Sequence, residues 1–123
     1  MRKSVALLIV AVALSVAAWA APAFAKTETV TGEVISLSCY FQNKKNVGQA
    51  GMICAIATVK WEGNPAGLLT ADGKVYQLAG GLVANNNARI VPHLGHTVTV
   101  TGDVYEKNGM MMISADDAKM IGK

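Results

Sequence analysis

The sequence predicts a small, mainly β domain in which five strands form a barrel, with one or two short helices. The pattern Val-Thr-Gly-acid-Val occurs twice, at residues 30–34 and 100–104. In each copy the valines and the glycine share one face of a strand, while the threonine and the carboxylate point the other way. A glycine in a core-facing row lets a strand bend sharply or another backbone approach, as the corners of small closed barrels require.

The first 25 residues have the features of a cleaved signal peptide. Arg2 and Lys3 precede an uncharged apolar run over residues 5–21, and Ala-Phe-Ala at 23–25 has the small-x-small pattern of a cleavage site. The alternative is a membrane anchor, but the run is shorter than the roughly 20 apolar residues of a spanning helix. We therefore expect a single domain over residues 26–123, periplasmic or secreted, with no stable membrane anchor after cleavage.

Removal of the signal peptide changes the charge balance. The whole chain has 11 basic and 8 acidic side chains, and two of the basic ones lie in residues 1–25. A nucleic-acid site needs a basic stripe with interleaved aromatic residues, whereas residues 26–123 contain one basic pair, Lys44-Lys45, in a polar segment. The composition argues against a nucleic-acid partner.

Two cysteines, Cys39 and Cys54, predict a disulfide in an oxidising compartment. Their spacing excludes a Cys-x-x-Cys redox site and a Cys-x-x-Cys-His haem site. Closing a loop of this size contributes about 3 kcal/mol to stability. The alternatives are a redox-active pair and a thiolate metal site.

Turn signals and alternating apolar residues divide the rest of the chain. Asp72-Gly73 and Asn108-Gly109 are typical of tight hairpins. Residues 51–61 favour a helix over a buried strand, and residues 82–94 fit a short helix or turn. The predicted strands cover residues 28–38, 66–71, 74–79, 96–106 and 109–115.

This order of strands resembles the OB-fold superfamily, a five-stranded Greek-key barrel. The resemblance rests also on the two Val-Thr-Gly-acid-Val strands and on the segment 82–94, which stands where the family places its helix between strands three and four. The resemblance covers residues 29–121. Within the superfamily, the sequence is similar to small, stand-alone exported OB-like domains of unassigned role. The cysteine-bounded segment between strands one and two departs from the family, and export and few aromatic residues argue against the family's nucleic-acid activity.

Tyr40, Phe41 and Trp61 are the candidate ligand or partner surface. Tyr40 and Phe41 directly follow Cys39, so a disulfide would hold an amphipathic patch near strand one. The patch is either a binding surface, together with loops 40–49 and 85–96, or a lid over an open end of the barrel.

His93, His96, Met110 and Met112 are candidate metal ligands. Two imidazoles three residues apart can reach one ion, and thioether sulfurs select Cu(I). On a strand Met110 and Met112 share one face while Met111 points away, and core packing is the alternative for these methionines.

Catalytic signals are weak. The carboxylates of Glu33 and Asp103 point away from the valine row and are expected to face solvent, and the serines lie outside any nucleophile-elbow pattern. We therefore expect no enzyme activity and no cofactor.

The sequence favours an exported, non-catalytic binding or accessory module for an unknown protein or small-molecule ligand. The alternative is a periplasmic copper- or zinc-handling protein that uses His93, His96 and the methionines.

Overall fold

A computed structural model describes residues 25–121, so the predicted signal peptide lies, apart from Ala25, outside the described residues. Six strands and three helical segments form the framework. Among these residues no helix is both long and apolar enough to cross a membrane. The strands are β1 (Lys26–Ser36), β2 (Ala66–Leu69), β3 (Val75–Ala79), β4 (Thr97–Lys107), β5 (Met110–Ser114) and β6 (Ala118–Met120); the helices are α1 (Leu37–Gln42), α2 (Met52–Ala55) and a π-helical continuation of α2 (Ile56–Trp61).

The first five strands form a closed barrel. Their order is β1-β2-β3-β5-β4, and β4 pairs with β1 to close the ring. The pairing of β3 with β5 is parallel, and the other pairings are antiparallel. The predicted mainly β, five-stranded barrel is confirmed, and its topology is compatible with an OB-like fold. The short strand β6, which pairs with β4 beside the ring, was not predicted.

The two glycines of the repeated pattern let neighbouring backbones approach. A Cβ atom on Gly102 would lie 2.2 Å from the carbonyl oxygen of Ser114, and one on Gly32 would lie 2.8 Å from that of Leu69. Both distances are too short for a side chain, so these positions require glycine where strands cross closely. This outcome agrees with the interpretation of the glycines in the sequence.

Alternation along β1 and β4 separates the core from an outer threonine face. Directly paired threonines meet across the two strands, with hydroxyl oxygens 2.8 Å apart for Thr29 and Thr101 and 3.1 Å for Thr31 and Thr99. The inner face packs on β2, β3 and β5 and on residues of the connecting turns. Core residues from these elements include Val30, Val34, Leu68, Leu78, Leu82, Ile90, Val98, Val100, Val104 and Ile113.

The hairpins form at the predicted dipeptides. Gly73 has a φ of 88° between β2 and β3, and Asn108 and Gly109 have φ values of 53° and 79° between β4 and β5. Two consecutive residues with positive φ are the requirement of the tightest β-hairpin turn, and Asn-Gly meets it at low cost.

The end of the first strand was predicted too late in the chain. The strand ends at Ser36, and Ser38 lies in α1 rather than in a strand. The hydroxyl of Ser36 accepts a hydrogen bond from the backbone N–H of Cys39 at 3.3 Å. This N-cap begins the helix, since it satisfies one of the amides that have no partner within the helix.

Residues 52–61 are helical, as predicted, and one side of the helix packs on the barrel. Ala55 and Val59 are buried, whereas Ile53 is 86% exposed. The segment predicted as a short helix or turn, residues 82–94, overlaps one 3-10 helix, Gly80–Val83, and contains another, Val91–His93. Between them, residues 85–87 form a left-handed turn with φ values of 56°, 59° and 64°.

Candidate ligand-binding surface

Residues 37–61, which we call the insert, form most of the connection between β1 and β2, which spans residues 37–65, and lie outside the ring of strands. The insert comprises α1, a loop, α2 and the π-helical turn. A disulfide between Cys39 and Cys54 joins α1 to α2, with the two Cα atoms 6.2 Å apart, so the predicted disulfide is confirmed. Residues 25–121 contain no free cysteine that could act as a thiol nucleophile or thiolate ligand.

A chain of hydroxyl groups holds the same two helices together. The hydroxyl of Thr58 donates to the carbonyl oxygen of Cys54 at 2.9 Å and lies 2.6 Å from the hydroxyl of Ser36. Because the Thr58 proton is directed at Cys54, Ser36 is the donor to Thr58. Ser36 in turn lies 3.2 Å from the hydroxyl of Ser38. The contact between α1 and the second helix therefore has a covalent and a hydrogen-bonded component.

The left-handed asparagines cap the helix end that carries Trp61. The buried Asn87 amide donates to the carbonyl oxygens of Val59 at 3.0 Å and Asn64 at 3.1 Å, and Asn86 donates to that of Lys60 at 3.2 Å. The last carbonyls of a helix have no partner within the helix, so these amides supply the missing donors. Asparagine tolerates the left-handed conformation better than most residues. The sequence interpretation considered only the low helix propensity of the asparagines and missed this role.

The loop between α1 and α2 is attached to the barrel by Glu33. The Glu33 carboxylate accepts a hydrogen bond from the Gly48 N–H at 2.5 Å, and Asn46 donates to the Cys39 carbonyl at 3.0 Å. Glu33 is half-buried rather than facing solvent as predicted, whereas Asp103 is exposed and accepts a hydrogen bond from Thr27. The two carboxylates lie towards opposite ends of the β1–β4 pairing, so they do not form an acid pair.

The insert presents large apolar side chains to solvent. Phe41 is 60% exposed, Ile53 86% and Trp61 72%, which are the three highest values among the exposed large apolar residues. Ile53, Ala57 and Trp61 recur every four residues along one side of the helix, opposite the buried Ala55. The half-buried Tyr40 contacts Phe41, with ring centroids 5.9 Å apart.

The exposure of these side chains bears on the interpretation of the aromatic patch as a lid. A lid over the barrel would bury its aromatic rings against the core, whereas Phe41 and Trp61 are mostly exposed. The insert residues that pack into the hydrophobic core are instead Ala55 and Val59. Phe41 and Trp61 are therefore surface residues on a fixed support.

Charge is segregated between the insert and the barrel. The insert carries Lys44, Lys45 and Lys60, and the carboxylate next to it in the chain is Glu62, which caps its second helix. Residues 25–36 and 62–121, which include Glu62, carry five basic and eight acidic side chains. The Lys60 ammonium lies 4.9 Å from the centre of a Trp61 ring, within the range of a cation–π contact. We call the exposed basic and apolar side chains of the insert the insert surface: Tyr40, Phe41, Lys44, Lys45, Ile53, Lys60 and Trp61.

The candidate metal ligands form two separate groups. His93 and His96 precede β4, whereas Met110 pairs with Lys107 at the far end of that strand. Ten residues of extended chain, about 33 Å along the strand, separate the two ends. Met112 is buried and Met111 exposed, which agrees with the predicted alternation. Within residues 25–121, histidine, cysteine and carboxylate side chains form no group of three or more with the geometry to hold a metal ion.

The insert surface is thus the place where fixed geometry, exposed apolar area and positive charge coincide. The disulfide at its base is typical of proteins in oxidising compartments. No protein-family model, curated protein or solved structure matches the chain.

Proposed function

We propose that the protein is an exported, non-catalytic binding or accessory module in which an OB-like barrel carries the insert surface as its ligand site. The observation that supports this proposal is the exposure of Phe41, Ile53 and Trp61 on a segment that is otherwise firmly held. Clustered apolar side chains at a surface are costly in water and are typical of interaction sites.

The rigidity of the insert supports a binding role. The disulfide, the Ser36–Thr58 hydroxyl contact and the Asn87 cap all fix the helices before any ligand arrives. A surface that is already ordered loses less conformational entropy on binding than a mobile loop. The cross-links of the insert therefore serve affinity as well as stability.

Trp61 provides a direct test, because it is the only tryptophan in residues 26–123. Its fluorescence is followed while the exported protein is titrated with periplasmic or extracellular material separated into protein, small-molecule and lipid fractions. We expect one fraction to shift the emission of Trp61. The variant Phe41→Ser/Ile53→Ser should lose the response, and the control Thr29→Ala/Thr101→Ala on the outer polar face of β1 and β4 should keep it.

Two outcomes contradict the proposal. One is that no fraction changes the emission of Trp61, and the other is that the control loses the response as fully as the insert variant. The export step is checked on the same material by intact mass. The expected chain begins at Lys26 and is two hydrogens lighter than its reduced form.

A further inference from the structure

We propose that the insert surface binds an anionic lipid bilayer, in a reversible, peripheral manner. This inference rests on the proposed binding function and assigns its ligand class. It is carried by the coincidence of positive charge with exposed apolar side chains on the insert and by the opposite charge of the barrel.

The charge distribution orients the molecule towards a negative surface. The insert has three lysines and no carboxylate of its own, although Glu62 directly follows Trp61. The described chain outside the insert, Glu62 included, has three more acidic than basic side chains. The described residues therefore have no formal net charge but a marked separation of charge. An anionic bilayer attracts the insert and repels the barrel, so the field both recruits the protein and turns the insert surface towards the lipid.

The apolar side chains form one footprint beside these lysines. Phe41 lies two residues after Cys39, Ile53 lies one residue before Cys54, and the disulfide joins the two cysteines. The Cα atoms of Phe41 and Ile53 are therefore at most about 18 Å apart. Ile53 and Trp61 lie on the same side of one helix, and Lys44 and Lys45 follow α1 after its C-cap residue Asn43. The apolar side chains and the lysines therefore belong to one cross-linked unit of the insert.

The residue types favour lipid over an acidic protein. Trp61 and Phe41 suit the boundary between headgroups and acyl chains, and lysines remain at the headgroups while their aliphatic stems lie in the apolar layer. Exposures of 60–86% describe side chains that protrude, and protruding side chains insert into a fluid layer without needing a matching pocket. A second copy of the chain could offer its acidic barrel to the insert, and such a head-to-tail contact would produce rings or filaments of the protein in the absence of lipid.

Flotation with vesicles tests the inference. The exported protein is mixed with vesicles of equal parts phosphatidylglycerol and phosphatidylcholine, and bound protein is measured by flotation and by the blue shift of Trp61. Each lysine near an anionic surface strengthens binding about fivefold, so pure phosphatidylcholine vesicles should bind about 100-fold more weakly. Raising the salt concentration to about 0.5 M should release the protein by screening the lysines.

Matched variants separate the insert from the barrel. Lys44→Gln/Lys45→Gln should weaken binding about 25-fold, whereas Lys74→Gln/Lys107→Gln, two exposed barrel lysines, should leave it within about twofold. Ile53→Ser should weaken binding about tenfold, and Met111→Ser, an exposed residue of β5, should have no effect. Ile53 is almost fully exposed, so its loss leaves the core intact, and circular dichroism verifies the fold of each variant.

The outcomes distinguish this inference from the proposed function. Absence of flotation, or equal weakening by the barrel lysine variants, overturns the lipid assignment. If a protein fraction or a polyglutamate peptide shifts Trp61 while vesicles do not, the insert surface binds an acidic protein and the proposed function stands. If the protein self-associates through the insert without vesicles, the ligand is a second copy. If no partner of any class affects Trp61, both the inference and the proposed function fail.

Discussion

Replacement of Asn87 by alanine should strongly destabilise the domain. The Asn87 side chain is 4% exposed and donates to the carbonyls of Val59 and Asn64. Leaving the buried Val59 carbonyl without a donor costs about 2 kcal/mol, and the half-exposed Asn64 carbonyl about 1 kcal/mol. Alanine at a φ of 64° adds about 1 kcal/mol because its Cβ crowds the backbone in the left-handed region.

These terms predict a loss of about 4 kcal/mol in the free energy of unfolding, which lowers Tm by about 20 °C for a domain of this size. Urea denaturation followed by circular dichroism measures the loss. Asn87→Gly should lose about 1 kcal/mol less than Asn87→Ala, since glycine accepts the backbone angle. The exposed Asn85, also left-handed, is the control, and Asn85→Gly should be nearly neutral. A loss below about 1 kcal/mol for Asn87→Ala would refute the capping role.

Replacement of both cysteines by serine should reduce the free energy of unfolding by about 3 kcal/mol, measured by urea denaturation; an unchanged midpoint would show that the cross-link does not stabilise the fold. Gly102→Ala should cost about 3 kcal/mol or more, because the added Cβ meets the Ser114 carbonyl, whereas Thr101→Ala on the outer face should cost far less; similar losses for both would contradict the close approach. The hydrogen bond from the Thr70 hydroxyl lowers the pKa of Asp72. A carboxyl whose pKa is lower in the folded than in the unfolded protein stabilises the fold above the unfolded pKa, and this stabilisation is lost as the pH falls through the folded pKa. Thr70→Val should therefore raise the pKa of Asp72 in an NMR titration, and the variant should lose less stability than the original protein when the pH is lowered. An unchanged Asp72 pKa would be the contrary result.

The barrel could be predicted because its signals are local. Valines and glycine alternate along β1 and β4, and each hairpin is marked by a dipeptide that fits its turn. The disulfide was predictable because the chain has two cysteines. The strand β6 was missed because three residues at the edge of the sheet, Ala118–Met120, carry too short a pattern to reveal alternation.

The errors arose where tertiary contacts decide the outcome. The sequence predicts a helix over residues 51–61 but does not show that the barrel packs against Ala55 and Val59 and leaves Ile53 exposed. The asparagines at residues 85–87 are poor helix formers, and their value lies in capping a helix more than 20 residues earlier in the chain. Neither contact can be read from a local window of sequence.

The candidate surface was predicted in part. Tyr40, Phe41 and Trp61 were singled out by their position in the sequence, whereas the exposure of Ile53 was not predicted. Lys44-Lys45 was interpreted only as a solvated pair, although the confinement of all eight acidic residues to positions outside 37–61 is visible in the sequence. Its meaning depends on knowing that residues 37–61 form one unit on the barrel, which the structure supplies.

The central claim, that the insert surface is the ligand site, is tested most directly by amide chemical-shift mapping of the disulfide-bonded protein. The spectrum is recorded with and without the ligand that shifts Trp61 emission, using bicelles of phosphatidylglycerol and phosphatidylcholine if that ligand is lipid. The account predicts shifts concentrated in residues 40–61 and absent from the threonine face of β1 and β4. Shifts concentrated on that face, or in residues 85–96 alone, would contradict it.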